Sequence, residues 1–258
     1  MRPLMVSLSN HERARRPTLK RPWGQRPGRD GHEMEEPTLI FEREEWAAGR
    51  RWVAGIDEVG RGPLAGPVMA AAVVLNPGVD LARIQGVRDS KLLTPQQREA
   101  LAPLIRRDAL AVGLGQAGPE EVDSVGIVEA TRLAMLRALA GLPLTPHSLL
   151  IDALTLPTCL LPQRAIIHGD RLCLSIACAS IVAKVARDRL MAEMEKCYPG
   201  YGFARHKGYP TPQHQQALAS LGPCPLHRRS FRPVREAGQG HPTAWEPWPG
   251  WVGYLRES

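Results

Sequence analysis

The strongest constraint on this chain is a short apolar run, Trp52-Val53-Ala54-Gly55-Ile56, that ends in two adjacent acids, Asp57 and Glu58. A second apolar run, Val68 to Leu75, follows across a connection punctuated by Pro63, Gly66 and Pro67. Apolar runs of this length, bounded by Gly and Pro, read as buried strands. Carboxylates at the end of a buried strand are costly unless they hold a cation. One residue later, after Val59, stands Gly60-Arg61-Gly62, whose glycines permit close backbone approach and whose arginine can fork onto a phosphate. An anionic metal site beside a cationic cradle is what cutting a phosphodiester requires.

The rest of the chain alternates between the two kinds of element. Thr94-Pro95-Gln96-Gln97 reads as a helix start, with Thr94 as N-cap, Pro95 first in the helix and Gln97 as reciprocal cap partner; the helix runs to about Arg107. A strand near Leu110–Leu114 and a long helix over 119–140 follow. Ser148-Leu149-Leu150-Ile151-Asp152 is a third strand ending in an acid, and Ala165–His168 a fourth, followed by Gly169-Asp170. A helix over 175–196 comes next. The pattern predicts an α/β layer fold with a mixed sheet.

Three acids, Asp57, Asp152 and Asp170, therefore stand at strand ends, with Glu58 beside the first. Functional groups gather at such ends because side chains of neighbouring strands converge there. Four carboxylates suit one or two hard ions such as Mg²⁺, which take oxygen ligands. Adjacent strand residues point to opposite faces, so Asp57 and Glu58 converge only if the strand twists or ends there. Asp188 is a rival, but it stands four residues after Lys184 inside a helix and reads as a structural ion pair. Asp89, just before a capped helix, reads as a loop organiser. Arg88 and Lys91 add cations near that helix start. Tyr198 to Arg232 interleaves Tyr201, Phe203 and Tyr209 with Arg205, His206, Lys207, His214, His227, Arg228 and Arg229, the composition of a nucleic-acid surface.

Charge narrows the partners less than its total implies. The net charge is +7, but residues 1–33 hold eight bases against three acids, so the remainder is only mildly basic. Residues 1–33 are proline-broken, without apolar periodicity, and read as a disordered basic extension. A catalytic domain is expected over 34–235 and a Gly/Pro/Trp-rich, disordered tail over 236–258. No apolar run approaches the roughly 18–20 residues that span a bilayer. Five cysteines include no Cys-x-x-Cys pair, so reduced thiols and a cytoplasmic protein are expected, with no zinc site and no membrane partner.

The stretch Gly55-Ile56-Asp57-Glu58-Val59-Gly60-Arg61-Gly62-Pro63-Leu64-Ala65-Gly66-Pro67 closely resembles the opening signature of bacterial ribonuclease HII, a type 2 ribonuclease H. The likeness continues through Asp89-Ser90-Lys91, Ile151-Asp152, Gly169-Asp170, Ala179 to Arg189, His206-Lys207-Gly208-Tyr209 and His227 to Phe231. It implies a ribonuclease H-like fold with a mixed five-stranded sheet flanked by helices, and a C-terminal helical and loop extension. It implies a monomeric, Mg²⁺- or Mn²⁺-dependent endoribonuclease acting on RNA–DNA hybrids. The same likeness implies incision 5′ to single ribonucleotides in duplex DNA, leaving 5′-phosphate and 3′-hydroxyl ends. Asp57, Glu58, Asp152 and Asp170 take the family's catalytic and metal-ligand places. Gly60, Arg61 and Gly62 take those that read the ribose 2′-hydroxyl; Lys91 is a further substrate contact, and Tyr209 packs on the following deoxyribose. The chain departs at Ala153, where the family usually has glycine, and at Cys178, where alanine is common; both are expected to tighten packing slightly. The alternatives are the sister ribonuclease HIII, which has a folded N-terminal domain and a different residue at Arg61, and a non-catalytic binder of the same fold.

Overall fold

The computed structural model describes residues 36–239. The expectations for residues 1–33 and for the end of the tail lie outside the described residues. A short helix α1 (Ile40–Ala47) precedes strands β1 (Val53–Val59) and β2 (Val68–Val74). Helix α2 (Pro95–Asp108), strand β3 (Ala111–Ala117) and helix α3 (Pro119–Ala140) follow. Then come β4 (Ser148–Asp152), β5 (Gln163–Ile166), a one-turn helix α4 (Gly169–Leu172) and the long α5 (Leu174–Cys197). Three short helices, α6 (Phe203–His206), α7 (Pro212–Leu221) and α8 (Arg232–Ala237), close the described chain. Helix α8 crosses the expected domain boundary at residue 235.

Local chemistry sets several of these boundaries as read. Thr94 Oγ1 accepts from the Gln97 amide at 3.2 Å, and Gln97 Oε1 accepts from the Thr94 amide at 2.8 Å. This reciprocal box satisfies donors that a helix start otherwise leaves unpaired. Gly126, at φ 79°, interrupts α3 with a kink. The fourth strand is displaced from its expected place: β5 ends at Ile166, and His168 enters the left-handed region at φ 58° to start α4. Asp170 is thus in the first turn of a helix and not at a strand end.

The five strands form one mixed sheet in the order β3-β2-β1-β4-β5. The β1–β2 and β2–β3 pairs are antiparallel; β1–β4 and β4–β5 are parallel. Alternation along β1 sends Ala54 and Ile56 into a core shared with α3, while the opposite face packs under α5 and α2. Strand β2 is buried at every position, as its unbroken apolar run demands. The β1–β4 register closes at Ile56 opposite Ile151, so Asp57 and Asp152 are the next neighbours across the two parallel strands. Beyond them β1 continues to Val59 paired only with β2, leaving its β4-side edge free.

Candidate active site

That free edge solves the problem posed by alternation. Asp57 points to the α5 face, where the Ser180 hydroxyl bonds its carboxylate, and Asp152 lies beside it on β4. Glu58 belongs to the other face, yet its side chain rounds the unpaired edge. One carboxylate oxygen from each of Asp57, Glu58 and Asp152 lies within 4.8 Å of the others. The strand does not end at Glu58; its pairing partner does.

Asp170 stands next to this trio without joining it. Its Oδ2 accepts from Lys91 Nζ at 3.1 Å, and its charge bears on Asp152, whose Oδ1 accepts from the Gly169 amide at 2.7 Å. The four expected acids are neighbours, and three of them converge. Asp89 and Asp188 fall where the sequence put them. Asp89 caps the Lys91 amide at 2.9 Å and pairs with Arg171; Asp188 pairs with Lys184 at 2.7 Å.

The trio is electrostatically unsatisfied. Burial, and then the charge of Glu58, hold the Asp57 carboxyl well above the ordinary carboxylate range. Burial also raises Glu58, against the opposing Arg61 charge, and raises Asp152, where Asp170 adds to the effect. Glu58 Oε2 is buried and has no hydrogen-bond partner among the described residues. An orphaned carboxylate oxygen within a cluster of oxygen donors and like charges fits a hard divalent cation, which would satisfy the oxygen and relieve the repulsion. Among the described residues this is the one such group of three or more acids, histidines or cysteines.

The turn after β1 flanks this cluster. Gly60 sits at φ +92°, and a Cβ there would stand 2.2 Å from Arg187 Nε, so conformation and packing both require glycine. Arg61 reaches back to Glu58 at 3.5 Å with its guanidinium substantially exposed. The ring of Tyr209 lies against Gly62, whose added Cβ would be 3.8 Å from it, and the ring remains 38% exposed. Lys184 Nζ sits 5.9 Å from its centroid. Turn, aromatic ring and carboxylates therefore occupy one continuous face.

The expected basic-aromatic surface over Tyr198–Arg232 is mostly a buried core instead. Tyr201, Phe203, His206, His214, His227 and Arg228 are all buried; Tyr209, Arg205 and Arg229 are exposed. Rings and backbone explain the difference. The Gly208 and Cys224 amides donate to Nδ1 of His206 and His227, at 3.2 and 3.0 Å. Both rings therefore carry their proton on Nε2, and His206 donates it to the Tyr201 carbonyl. His227 donates to His214 Nε2 at 3.1 Å, which leaves the His214 Nδ1 proton for the Tyr209 carbonyl at 2.9 Å. Burial lowers the pKa of His214 and pushes that of His227 down to about 3. Sequence composition cannot separate such a chain of buried, hydrogen-bonded rings from a solvated cationic loop.

Sequence reasoning also missed Ser90 and Ser180, whose hydroxyls meet at 2.9 Å in the buried link that ends on Asp57. The Asp89-Ser90-Lys91 segment was legible as a loop; its contact with Asp57 through α5 required the fold.

A mixed five-stranded sheet with carboxylates converging where the pairing of two central parallel strands ends defines an α/β fold of the ribonuclease H type. The ribonuclease H2 of Pyrococcus horikoshii OT3 shares this architecture at a TM-score of 0.63 and 28% identity, over 73% of this chain and 97% of that one. Bst-RNase HIII, solved in complex with Mn²⁺, is similar in fold alone, at a TM-score of 0.57 and 19% identity over 72% of this chain and 68% of that one. The family model described as Ribonuclease HII matches residues 54–234. The Ribonuclease HII of Myxococcus xanthus is 53% identical over 219 residues, covering 84% of this chain and 73% of that protein. The chain belongs to the ribonuclease HII family and is a hydrolytic endoribonuclease of the type 2 ribonuclease H class.

Proposed function

We propose that the protein cuts RNA within RNA–DNA hybrids and incises duplex DNA on the 5′ side of a single embedded ribonucleotide, leaving 5′-phosphate and 3′-hydroxyl ends. The observation that carries this reading is the convergence of Asp57, Glu58 and Asp152 oxygens within 4.8 Å, beside a glycine-arginine turn and an exposed tyrosine ring. Asp57, Glu58 and Asp152 would hold Mg²⁺ or Mn²⁺, and Asp170 would contribute from α4. Bound metal of this kind supplies a water of lowered pKa and charge neutralisation at the phosphoryl group. The chain's own groups do the selecting. Gly60 and Gly62 present backbone to the sugar, and Arg61 lies within reach of its 2′-hydroxyl or the adjoining phosphate. That hydroxyl is the one group separating RNA from DNA at a given sugar. Tyr209 offers a flat apolar face to the next sugar, where a deoxyribose packs more closely than a ribose. Lys91, paired with Asp170 and largely exposed, lies within reach of the scissile strand's backbone.

The reading implies a monomer working in the cytoplasm, with a catalytic domain over 34–235 and short extensions at either end. No helix among the described residues is long and apolar enough to cross a membrane. The test is incubation with duplex DNA holding one ribonucleotide, first with Mg²⁺ and then with chelator added. One incision 5′ to the ribonucleotide, lost with chelator, is expected. Metal-independent binding without cutting would overturn it in favour of a binder.

A further inference from the structure

Among the described residues the two largest fully buried side chains are arginines, Arg187 on α5 and Arg228 just before α8. Neither forms an ion pair with a carboxylate among the described residues. Burial pulls their guanidinium pKa values down, to about 10 for Arg187 and about 9 for Arg228, so both are still cations at neutral pH. A buried cation is costly unless its donors are matched, and here they are matched by backbone carbonyls.

Those carbonyls belong almost entirely to one loop. Arg228 donates to Gly60, Arg61, Pro63 and Gly66 oxygens at 2.6, 3.0, 2.8 and 3.0 Å. Arg187 donates to Pro67 at 3.0 Å and Ala65 at 3.1 Å. Between them the two guanidiniums occupy six of the eight carbonyls from Gly60 to Pro67. Arg187 then reaches out of this loop, donating Nη1 to the Lys207 carbonyl at 2.9 Å. The next residue, Gly208, accepts from the Leu64 amide at 2.8 Å, and Tyr209 follows it. One rigid fork thus ties the turn after β1 to the segment that carries the tyrosine.

We propose that Arg187 and Arg228 are positioning residues that fix the spacing between the Gly60-Arg61-Gly62 turn and Tyr209, and through it the preference for ribose over deoxyribose at the cut junction. This rests on the reading that turn and tyrosine contact the sugars on either side of that junction. The physical case is geometric. Two sites that read neighbouring sugars discriminate only if their separation is held to a fraction of an ångström, and loops do not hold such tolerances unaided. Five fixed N–H donors in a plane can pin several carbonyls at once, which a lysine ammonium on a flexible stem does not. The two charges have a second use, since they raise the potential under a turn that in the proposed function meets phosphate.

The test measures fluorescence anisotropy of the full chain, in Ca²⁺, on two duplexes differing by one 2′-hydroxyl: one ribonucleotide against all deoxyribonucleotides. Wild type is expected to prefer the first. Arg187→Lys keeps the charge but loses the fork; it should cut that preference roughly ten-fold, the equivalent of about 1.4 kcal/mol. Its affinity for the all-DNA duplex and its Mn²⁺ binding by calorimetry should stay within about two-fold of wild type. An undiminished preference, or an equal loss on both duplexes, overturns the positioning role. No preference in wild type overturns the underlying reading of turn and tyrosine instead. If Arg187→Lys fails to melt cooperatively, Gly208→Ala separates the same two segments, because its Cβ would lie 2.4 Å from the Ala65 carbonyl oxygen. It should show the same selective loss, and a retained preference there likewise overturns the proposal.

Discussion

Two halves of one face solve the problem of buried charge in opposite ways. Around Asp57, Glu58 and Asp152, like charges gather, one carboxylate oxygen has no partner among the described residues, and all three acids are pushed toward protonation. Behind the Gly60–Pro67 loop, two buried guanidiniums make seven hydrogen bonds to backbone carbonyls. The acid half is left unsatisfied until something cationic arrives. The guanidinium half is complete without a ligand. The contrast teaches that, in the proposed roles, instability is confined to the groups that would bind metal, while the groups that would measure a sugar are held rigidly.

Replacing Asp57 by Asn attacks the first half directly. Cleavage of either substrate should fall on the order of 10³-fold, as expected when one member of a cooperating charged set is removed. The metal-free protein should become more stable by about 1 kcal/mol, or roughly 2–4 °C in melting temperature, because the repulsion goes with the charge. Both readouts come from one variant. A lower melting temperature without metal would break the comparison, since the acid half would then be as settled as the guanidinium half.

Proton linkage sharpens the same contrast. The folded-state pKa values of Asp57, Glu58 and Asp152 are raised above their ordinary values, so the folded protein binds protons that the unfolded chain has already released. Stability from these groups is fully present below the ordinary carboxylate range, near about 4, and is lost as pH rises through their raised values. The stabilisation by Asp57→Asn should therefore be largest at neutral pH and fade toward pH 4 in parallel melts. Adding Mn²⁺ at neutral pH should raise the wild-type melting temperature by several degrees and that of Asp57→Asn by less. A pH-independent difference between the two proteins would mean that the carboxylates are not under the strain assigned to them.

Tyr209 probes the recognition half without disturbing its arginines. Tyr209→Ala should cost roughly ten-fold, within the 1–3 kcal/mol of a stacking contact, on the single-ribonucleotide duplex and less on a long hybrid. Rates measured side by side decide it, and equal losses on both would contradict the assigned role.

What could be read in advance follows from how local the physics is. The strand at Ser148–Asp152, the capping box at Thr94–Gln97 and the Lys184–Asp188 pair depend on neighbours a few residues away, and all stand as the sequence indicated. The convergence of Asp57 with Glu58 depends on where β4 stops, a fact of sheet topology that no local pattern contains. Apolar Ala165–His168 puts Asp170 at a strand end in the sequence, but the chain leaves the strand at Ile166 and turns left-handed at His168, which no local pattern there signals. The basic-aromatic stretch failed most plainly. Cations and rings look alike in sequence whether they face water or pair inside, and Arg228 and His227 do the second.

The smallest effect tests whether the acid half also stores backbone strain. Ala153, next to Asp152, sits at φ 50° and is exposed, so it tightens no packing, contrary to the expectation from sequence. An alanine held left-handed costs about 1–2 kcal/mol, which glycine would release. Glycine gives back part of that through the unfolded chain, at about 0.4–1 kcal/mol. Ala153→Gly should therefore stabilise by roughly 0.5–1 kcal/mol, a rise of about 1–3 °C in thermal melts. Cleavage should be unchanged, because the Ala153 amide keeps its bond to the Ile166 carbonyl at 3.1 Å whichever side chain is present. A drop in activity alongside higher stability would mean that the strained turn aims Asp152. The unsatisfied half of the site would then hold its geometry by backbone tension as well as by charge.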